Sequence, residues 1–212
     1  MSSYKQEFIE FALKNQVLLF GEFKLKSGRI SPYFFNAGQF NSGAKISQLG
    51  KFYAHAVQQA QLEYDVIFGP AYKGVPLATS LAIALAEQYG IDKPFCFNRK
   101  EKKQHGEGGT IIGAPLNGRV LVVDDVISAG LTIAEVVAII LNAGAQLAGI
   151  VISIDRQERG QNHLSAIEEV RKKYAAPVIC IATLSDIMEY LEHQGMQEKL
   201  KGMRQYKAEY GA

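Results

Sequence analysis

Val120-Leu121-Val122-Val123-Asp124-Asp125-Val126-Ile127-Ser128-Ala129-Gly130-Leu131-Thr132 passes from an apolar run to two carboxylates, a turn of small residues and a helix start. Four consecutive apolar residues, three of them β-branched, suit a strand buried on both faces. Neighbouring side chains on a strand point to opposite faces, so Asp124 and Asp125 can address one ligand only where the strand ends or turns. Ser128, Ala129 and Gly130 follow at once and leave backbone N–H groups free at a helix N-terminus, where the helix dipole and unpaired donors favour a phosphate. One segment thus offers hydrogen-bond acceptors beside an anion cradle, the combination that a sugar phosphate needs. A bare Asp-Asp pair also has an ordinary reading, with Asp124 capping the turn, Asp125 solvated and the glycine as loop punctuation. The strand before it and the Ser-Ala-Gly-Leu-Thr after it favour the ligand site.

Outward from this segment, strand-like and helix-like stretches alternate. Val66-Ile67-Phe68 leads to a helix over Val75 to Tyr89, with Pro76 in its first turn and Gly90 as its stop signal. Pro94 to Phe97 is a further short strand, Thr132 to Asn142 a helix, Leu147 to Ile154 a strand, and a polar helix runs through Glu168 to Tyr174. Val178 to Ile181 closes the series, and Met188 to Tyr210 reads as helical closure of the same domain. Before the series, Phe8, Phe11 and Ala12 mark an amphipathic helix over Tyr4 to Asn15, Val17 to Asn36 a hairpin turning at Ser27-Gly28-Arg29, and Ile46, Leu49, Tyr53 and Val57 a second helix. The pattern predicts an α/β fold, a parallel sheet flanked by helices, with its ligand site beyond the carboxyl ends of the strands.

The 212 residues are 48% hydrophobic and 21% charged, enough apolar material for one sizeable core and too much for a disordered chain. A formal net charge of +2 gives no support to nucleic-acid binding, which needs a basic face to displace counterions. Cys96 and Cys180 each lie in an apolar run and read as reduced core thiols. The polar start and the lack of a long apolar run predict neither a secretory leader nor a membrane span, hence a cytoplasmic protein. His55, His163 and His193 have no partners at metal-ligand spacing.

Three more clusters carry chemistry. Arg99 to Thr110 packs Arg99, Lys100, Lys102, Lys103 and His105 densely and then loosens at Gly106, Gly108 and Gly109, as a basic lid would, although most charge runs are merely solvated. Pro70-Ala71-Tyr72-Lys73-Gly74 joins a strand to a helix, where backbone N–H groups and Lys73 suit a pyrophosphate, or where a tight loop carries an incidental lysine. Phe34 and Phe35 could face a flat ring and Arg156 could fork a carboxylate; equally, paired phenylalanines are often core and a strand-end arginine a surface ion-pair partner.

The Val120 to Thr132 run resembles the phosphoribosyl pyrophosphate signature of type I phosphoribosyltransferases, and the basic run, Lys26-Ser27-Gly28-Arg29, Phe34-Phe35 and Asp155-Arg156-Gln157-Glu158-Arg159-Gly160 resemble their orotate branch. The resemblance extends over nearly the whole chain. It implies one domain over residues 1–212, with the first helix and hairpin as a small N-terminal hood over the core and with a flexible basic loop. It implies transfer of a phosphoribosyl group to orotate, with Asp124, Asp125, Lys103 and His105 catalytic. Lys26, Tyr72, Lys73, Arg99, Lys100, Lys103, His105 and the turn Asp124 to Thr132 (Val126, Ile127, Ser128, Ala129, Gly130, Leu131) would bind the sugar donor. Lys26, Phe34, Phe35, Ser128 and Arg156 would bind orotate. It further implies Mg²⁺ held mainly by substrate and water, and a homodimer in which Arg99 to Thr110 acts in trans, with Lys100 on the home side. One departure stands out: the family usually has a hydroxyl residue directly after the turn glycine, where this chain has Leu131, with Thr132 next.

Two rivals share parts of this pattern. Another purine or pyrimidine phosphoribosyltransferase would keep the acidic pair and glycine turn without needing Arg156. A non-catalytic sensor of the sugar donor would be expected to carry a DNA-binding unit, which this nearly neutral chain does not suggest.

Overall fold

The computed structural model describes residues 3–25, 27–103, 109–127, 131–160 and 164–212, without the side chains of residues 101–103, 109, 131 and 132. Its centre is a six-stranded sheet in the order β5-β4-β3-β6-β7-β8. The strands are β3 (Val66–Gly69), β4 (Phe95–Lys103), β5 (Gly109–Gly113), β6 (Arg119–Asp124), β7 (Gln146–Asp155) and β8 (Val178–Thr183). All neighbours run parallel except β5, which pairs antiparallel with β4. A separate antiparallel hairpin is formed by β1 (Leu18–Lys24) and β2 (Ile30–Phe35).

Helices cover both faces because the central strands are apolar on both sides. Leu121, Val123, Val151 and Ile154 pack with α2 (Gly43–Ala60), α3 (Gly74–Tyr89) and residues of α1 (Ser3–Lys14), α6 (Leu184–His193) and α7 (Gln197–Tyr210). Val120, Val122, Ile150 and Ile152 pack the other way, against Ile133, Val136, Val137 and Ile140 of α4 (Leu131–Asn142) and Ile167 and Val170 of α5 (Ala166–Tyr174). Burying side chains such as these stabilises by roughly 1.5–3 kcal/mol each. Local chemistry sets the helix ends. Gly90 closes α3 in the left-handed region at φ 66°, capping boxes start α5 at Ser165 and α6 at Thr183, and Lys5 of α1 pairs with the α6 capping carboxylate of Asp186 at 2.9 Å.

Three expectations change. The short strand at Pro94 to Phe97 continues to Lys103, and a strand absent from the sequence reading, β5, returns beside it. The stems of the basic run are therefore strands at the sheet edge, not loop, and the sheet is mostly rather than wholly parallel. Pairing of β4 with β3 ends at Phe97, so Arg99 to Lys103 have β5 as their one strand neighbour among the described residues, and their sequence carries no hydrophobic signal. The closure after β8 is two helices, beginning at Leu184 and broken at Gly195, φ 67°. The turn at Ser27 to Arg29 stands, and the helix expected over Val75 to Tyr89 begins one residue earlier, at Gly74.

Candidate active site

Because β3, β6 and β7 are parallel neighbours with β6 in the middle, their carboxyl ends lie side by side on one edge of the sheet. After β3 comes Pro70 to Lys73, at the end of β6 the acidic pair, and after β7 Arg156. The topology therefore brings together three clusters spread over more than 80 residues of sequence.

Asp124 is the last residue of β6, paired with Ile152 of β7, and Asp125 lies beyond the ladder. The chain turns there: the Asp125 N–H donates to Asp124 Oδ1 at 2.8 Å and the Val126 N–H to Asp125 Oδ1 at 3.0 Å. The other Asp125 oxygen accepts from Lys73 Nζ at 2.6 Å, with Asp125 buried and Lys73 largely exposed. Burial, and after it the charge of Asp125, push the Asp124 carboxyl up to about 7. Two carboxylates and one lysine thus share a partly enclosed corner, poised to exchange the internal ion pair for a ligand's hydroxyls and phosphates. Val126 and Ile127 continue the turn, with Ile127 packed into the core below.

The loop after β3 is closely fitted. A Cβ on Gly69 would run into the Gly74 carbonyl, and one on Gly74 would lie 2.6 Å from the Pro70 ring, so both positions require glycine. The Ala71-Tyr72 peptide is cis, and the Ala71 N–H donates to Asn98 Oδ1 of β4 at 2.8 Å. Tyr72 is 70% exposed, with Lys100 Nζ 4.9 Å from its ring centre. Exposed Lys100 thus meets the loop of its own chain, and Arg99 beside it on β4 is half-buried.

Arg156 is held on several sides. It pairs with Glu158 Oε1 at 2.6 Å, lies within 3.4 Å of Ser31 Oγ on the hairpin, and stacks 4.5 Å from the Tyr33 ring centre. Glu158 also accepts from Arg29 at 3.3 Å and from the Tyr206 hydroxyl at 2.9 Å. Two guanidinium groups on one carboxylate leave a surplus of positive charge, which suits an anionic ligand.

Phe34 and Phe35 do not act as a pair of faces. They alternate on β2, so Phe35, 8% exposed, points into the core against Phe8, while Phe34, 36% exposed, stacks on Phe23 at 5.5 Å. Only the Phe34 ring is open to a ligand, and Phe35 could contribute backbone alone. Lys26, His105, Ser128, Ala129 and Gly130 lie outside the described residues; Lys103, Leu131 and Thr132 are described in backbone only, at the end of β4 and the start of α4. The sequence reading missed Asn98, Tyr53 and Ser153. The last two bind the acidic turn from beneath, and in the sequence they look like ordinary helix and strand residues.

Two carboxylates supply hard oxygens but no cage: among the described residues no group of three or more His, Cys, Asp or Glu stands where it could hold a metal ion. Such a donor set fits Mg²⁺, which keeps its waters and takes substrate oxygens. No described helix is long and apolar enough to cross a membrane.

Comparison with known proteins bears directly on this edge of the sheet. The phosphoribosyl transferase domain family matches residues 37–183, which include the β3 loop and the acidic turn. An orotate phosphoribosyltransferase of Yersinia enterocolitica is 57% identical over 212 residues, covering all of both chains. The crystal structure of orotate phosphoribosyltransferase from Francisella tularensis superposes with a TM-score of 0.89 at 43% identity, over 97% of this chain and 100% of that one. One from Aeropyrum pernix does so with a TM-score of 0.67 at 26% identity, over 88% and 97%. With a family match over most of its length and full-length relatives above half identity, the chain belongs to the orotate phosphoribosyltransferases of the phosphoribosyl transferase domain family.

Proposed function

We propose that the chain transfers the phosphoribosyl group of phosphoribosyl pyrophosphate to orotate, giving orotidine monophosphate and pyrophosphate in the biosynthesis of UMP. The observation that carries this is the buried acidic pair at the tip of β6, with Lys73 of the neighbouring loop 2.6 Å from Asp125.

Displacement at the anomeric carbon builds positive charge on the ribose and negative charge on the departing pyrophosphate. Asp124 and Asp125 accept hydrogen bonds from the ribose hydroxyls and stand by the developing cation. Lys73, released from Asp125, meets the leaving group with Tyr72 and the backbone of its loop, and Arg99, Lys100, Lys103 and His105 add charge as the basic run closes. The turn Val126 to Thr132 cradles the 5′-phosphate, through backbone donors where Leu131 replaces a hydroxyl. Arg156 forks the orotate carboxylate, beside Phe34, Phe35, Lys26 and Ser128. Mg²⁺, held mainly by substrate and water with Asp124 and Asp125 as the protein residues that would help hold it, would supply further neutralisation of the pyrophosphate. Closure excludes water, which would otherwise capture the activated sugar.

The residues 1–212 act as one domain, with α1 and the β1–β2 hairpin as the hood; Arg29 and Ser31 on the hairpin already touch the Glu158 and Arg156 side chains. The working form is a homodimer in which each basic hairpin covers the other subunit's site. Supporting it is an apolar groove between α2 and α3, lined by Ile46, Pro76, Thr79, Ile83 and Ala84, with Lys51 and Glu87 in its walls. A reducing cytoplasm suits the free Cys96 and Cys180, whose thiols burial pushes up to about 11.

Pyrophosphate release should be measured with orotate, uracil and hypoxanthine as acceptors. Release with orotate and little with the others is the expected result; release with none of them would reject the transferase. Arg156→Ala should lower kcat/KM for orotate by about a hundredfold, the scale of a lost charge-assisted fork.

A further inference from the structure

Beneath the acidic turn lies a pair of hydroxyls that none of the steps above uses. Tyr53, in the middle of α2, is fully enclosed, and so is Ser153 on β7. Tyr53 Oη lies 2.7 Å from the Asp124 carbonyl oxygen and 2.6 Å from Ser153 Oγ. A carbonyl only accepts, so the tyrosine hydrogen goes to Asp124 and the serine hydroxyl donates to the tyrosine oxygen. Ser153 also reaches the turn by its backbone, its N–H donating to the Asp125 carbonyl at 2.9 Å. Successive carbonyls of the acidic pair are thereby held by elements remote in sequence.

On the β7 side the backbone N–H of Ser153 serves the Asp125 carbonyl, but the Asp124 carbonyl takes its partner from α2, outside the sheet. Pairing with β3 stops at Val122, two residues short of Asp124, and pairing with β7 stops at Asp124. Beyond those points the freed carbonyls are buried and need partners, and two adjacent side chains must be turned toward one side against the alternation of a strand. We propose that Tyr53 and Ser153 are positioning residues for sugar-donor binding: by fixing the peptide planes of Asp124 and Asp125 they aim both carboxylates at the ribose hydroxyls. This rests on the reading of Asp124 and Asp125 as ribose-binding.

The test is steady-state kinetics of Tyr53→Phe and Ser153→Ala, varying each substrate at saturating levels of the other, with melting temperatures alongside. Tyr53→Phe keeps the ring and its packing and removes the donor. KM for phosphoribosyl pyrophosphate should rise about tenfold in Tyr53→Phe and about threefold in Ser153→Ala, while KM for orotate stays within about twofold. The double variant should fall short of the product of the two effects, because both act through one chain of hydrogen bonds. A lower melting temperature with both KM values unchanged, or an equal rise in both, would overturn the positioning role. Should Tyr53→Phe fail to fold, Ser153→Ala decides by the same criterion, since it withdraws the hydroxyl that directs the tyrosine hydrogen to the Asp124 carbonyl. Asp125→Asn is measured beside them. If it leaves KM for the sugar donor unchanged, the ribose reading fails; if it raises that KM while Tyr53→Phe and Ser153→Ala do not, only the positioning role fails.

Discussion

The tip of β6 and the β4–β5 hairpin face the same chemistry from opposite physical situations. Asp124 and Asp125 sit at the centre of the sheet, between parallel neighbours, largely buried and held through both backbone and side chain. Arg99 and Lys100 stand on the second strand from the edge, half-buried and exposed, on a hairpin whose remaining partner is β5 alone. On the proposed function, the carboxylates that wait in place for a sugar are built into the core, and the cations used as the leaving group departs are carried toward the margin of the sheet.

That contrast can be broken by experiment, beginning with the strongest lever. Asp125→Asn removes the anchored carboxylate and its pairing with Lys73, and kcat/KM for phosphoribosyl pyrophosphate should fall about a thousandfold; a loss under about tenfold would mean that the core acid does little. Lys103→Ala should act differently, lowering kcat about a hundredfold while both KM values stay nearly constant, because its charge is used mainly as the leaving group departs. An unchanged turnover number would contradict that role. Mixing an Arg99→Ala chain with an Asp125→Asn chain in equal amounts should recover about a quarter of normal activity, since half of randomly assorted dimers are hybrids with one intact site. Hybrids that form and stay inactive would place the hairpin over its own site.

The smallest effect is in the pH profile. Asp124 is raised from 3.8 to about 7 in the fold, so the folded state binds more protons than the unfolded between those values. Its contribution is fully present below the unfolded value and is lost as pH rises through about 7, so stability should decline over that window. Sugar-donor binding needs the ionised form, so kcat/KM should climb through the same range. Asp124→Asn should flatten both trends, as followed by thermal melts and pH-dependent kinetics; persistence of either in the variant would assign it to another group.

Much of this was legible in residue order, for a physical reason. Strands buried on both faces, such as Val120 to Val123 and Leu147 to Ile154, write themselves as continuous apolar runs, and the acidic pair is conspicuous because charge directly after such a run is unusual. The hairpin stems escaped because β4 outruns its pairing with β3 at Phe97, so Arg99 to Lys103 carry no apolar run to mark extended structure. Tyr53 escaped because a tyrosine at helical spacing looks like core, which it is; the second use of its hydroxyl depends on a strand 100 residues away. In residue order Phe34 and Phe35 look like one surface, although a period of two sends neighbours apart.

The mutual fit of Gly69, Pro70 and Gly74 limits how this catalyst can be altered. Gly69 and Gly74 are closed to any larger side chain, so if this loop grips the departing anion as proposed, variation that retunes the grip enters at Ala71, Tyr72 and Lys73. Libraries directed at those positions, with the flanking glycines left alone, would sample altered leaving groups without spending members on chains that cannot close the turn.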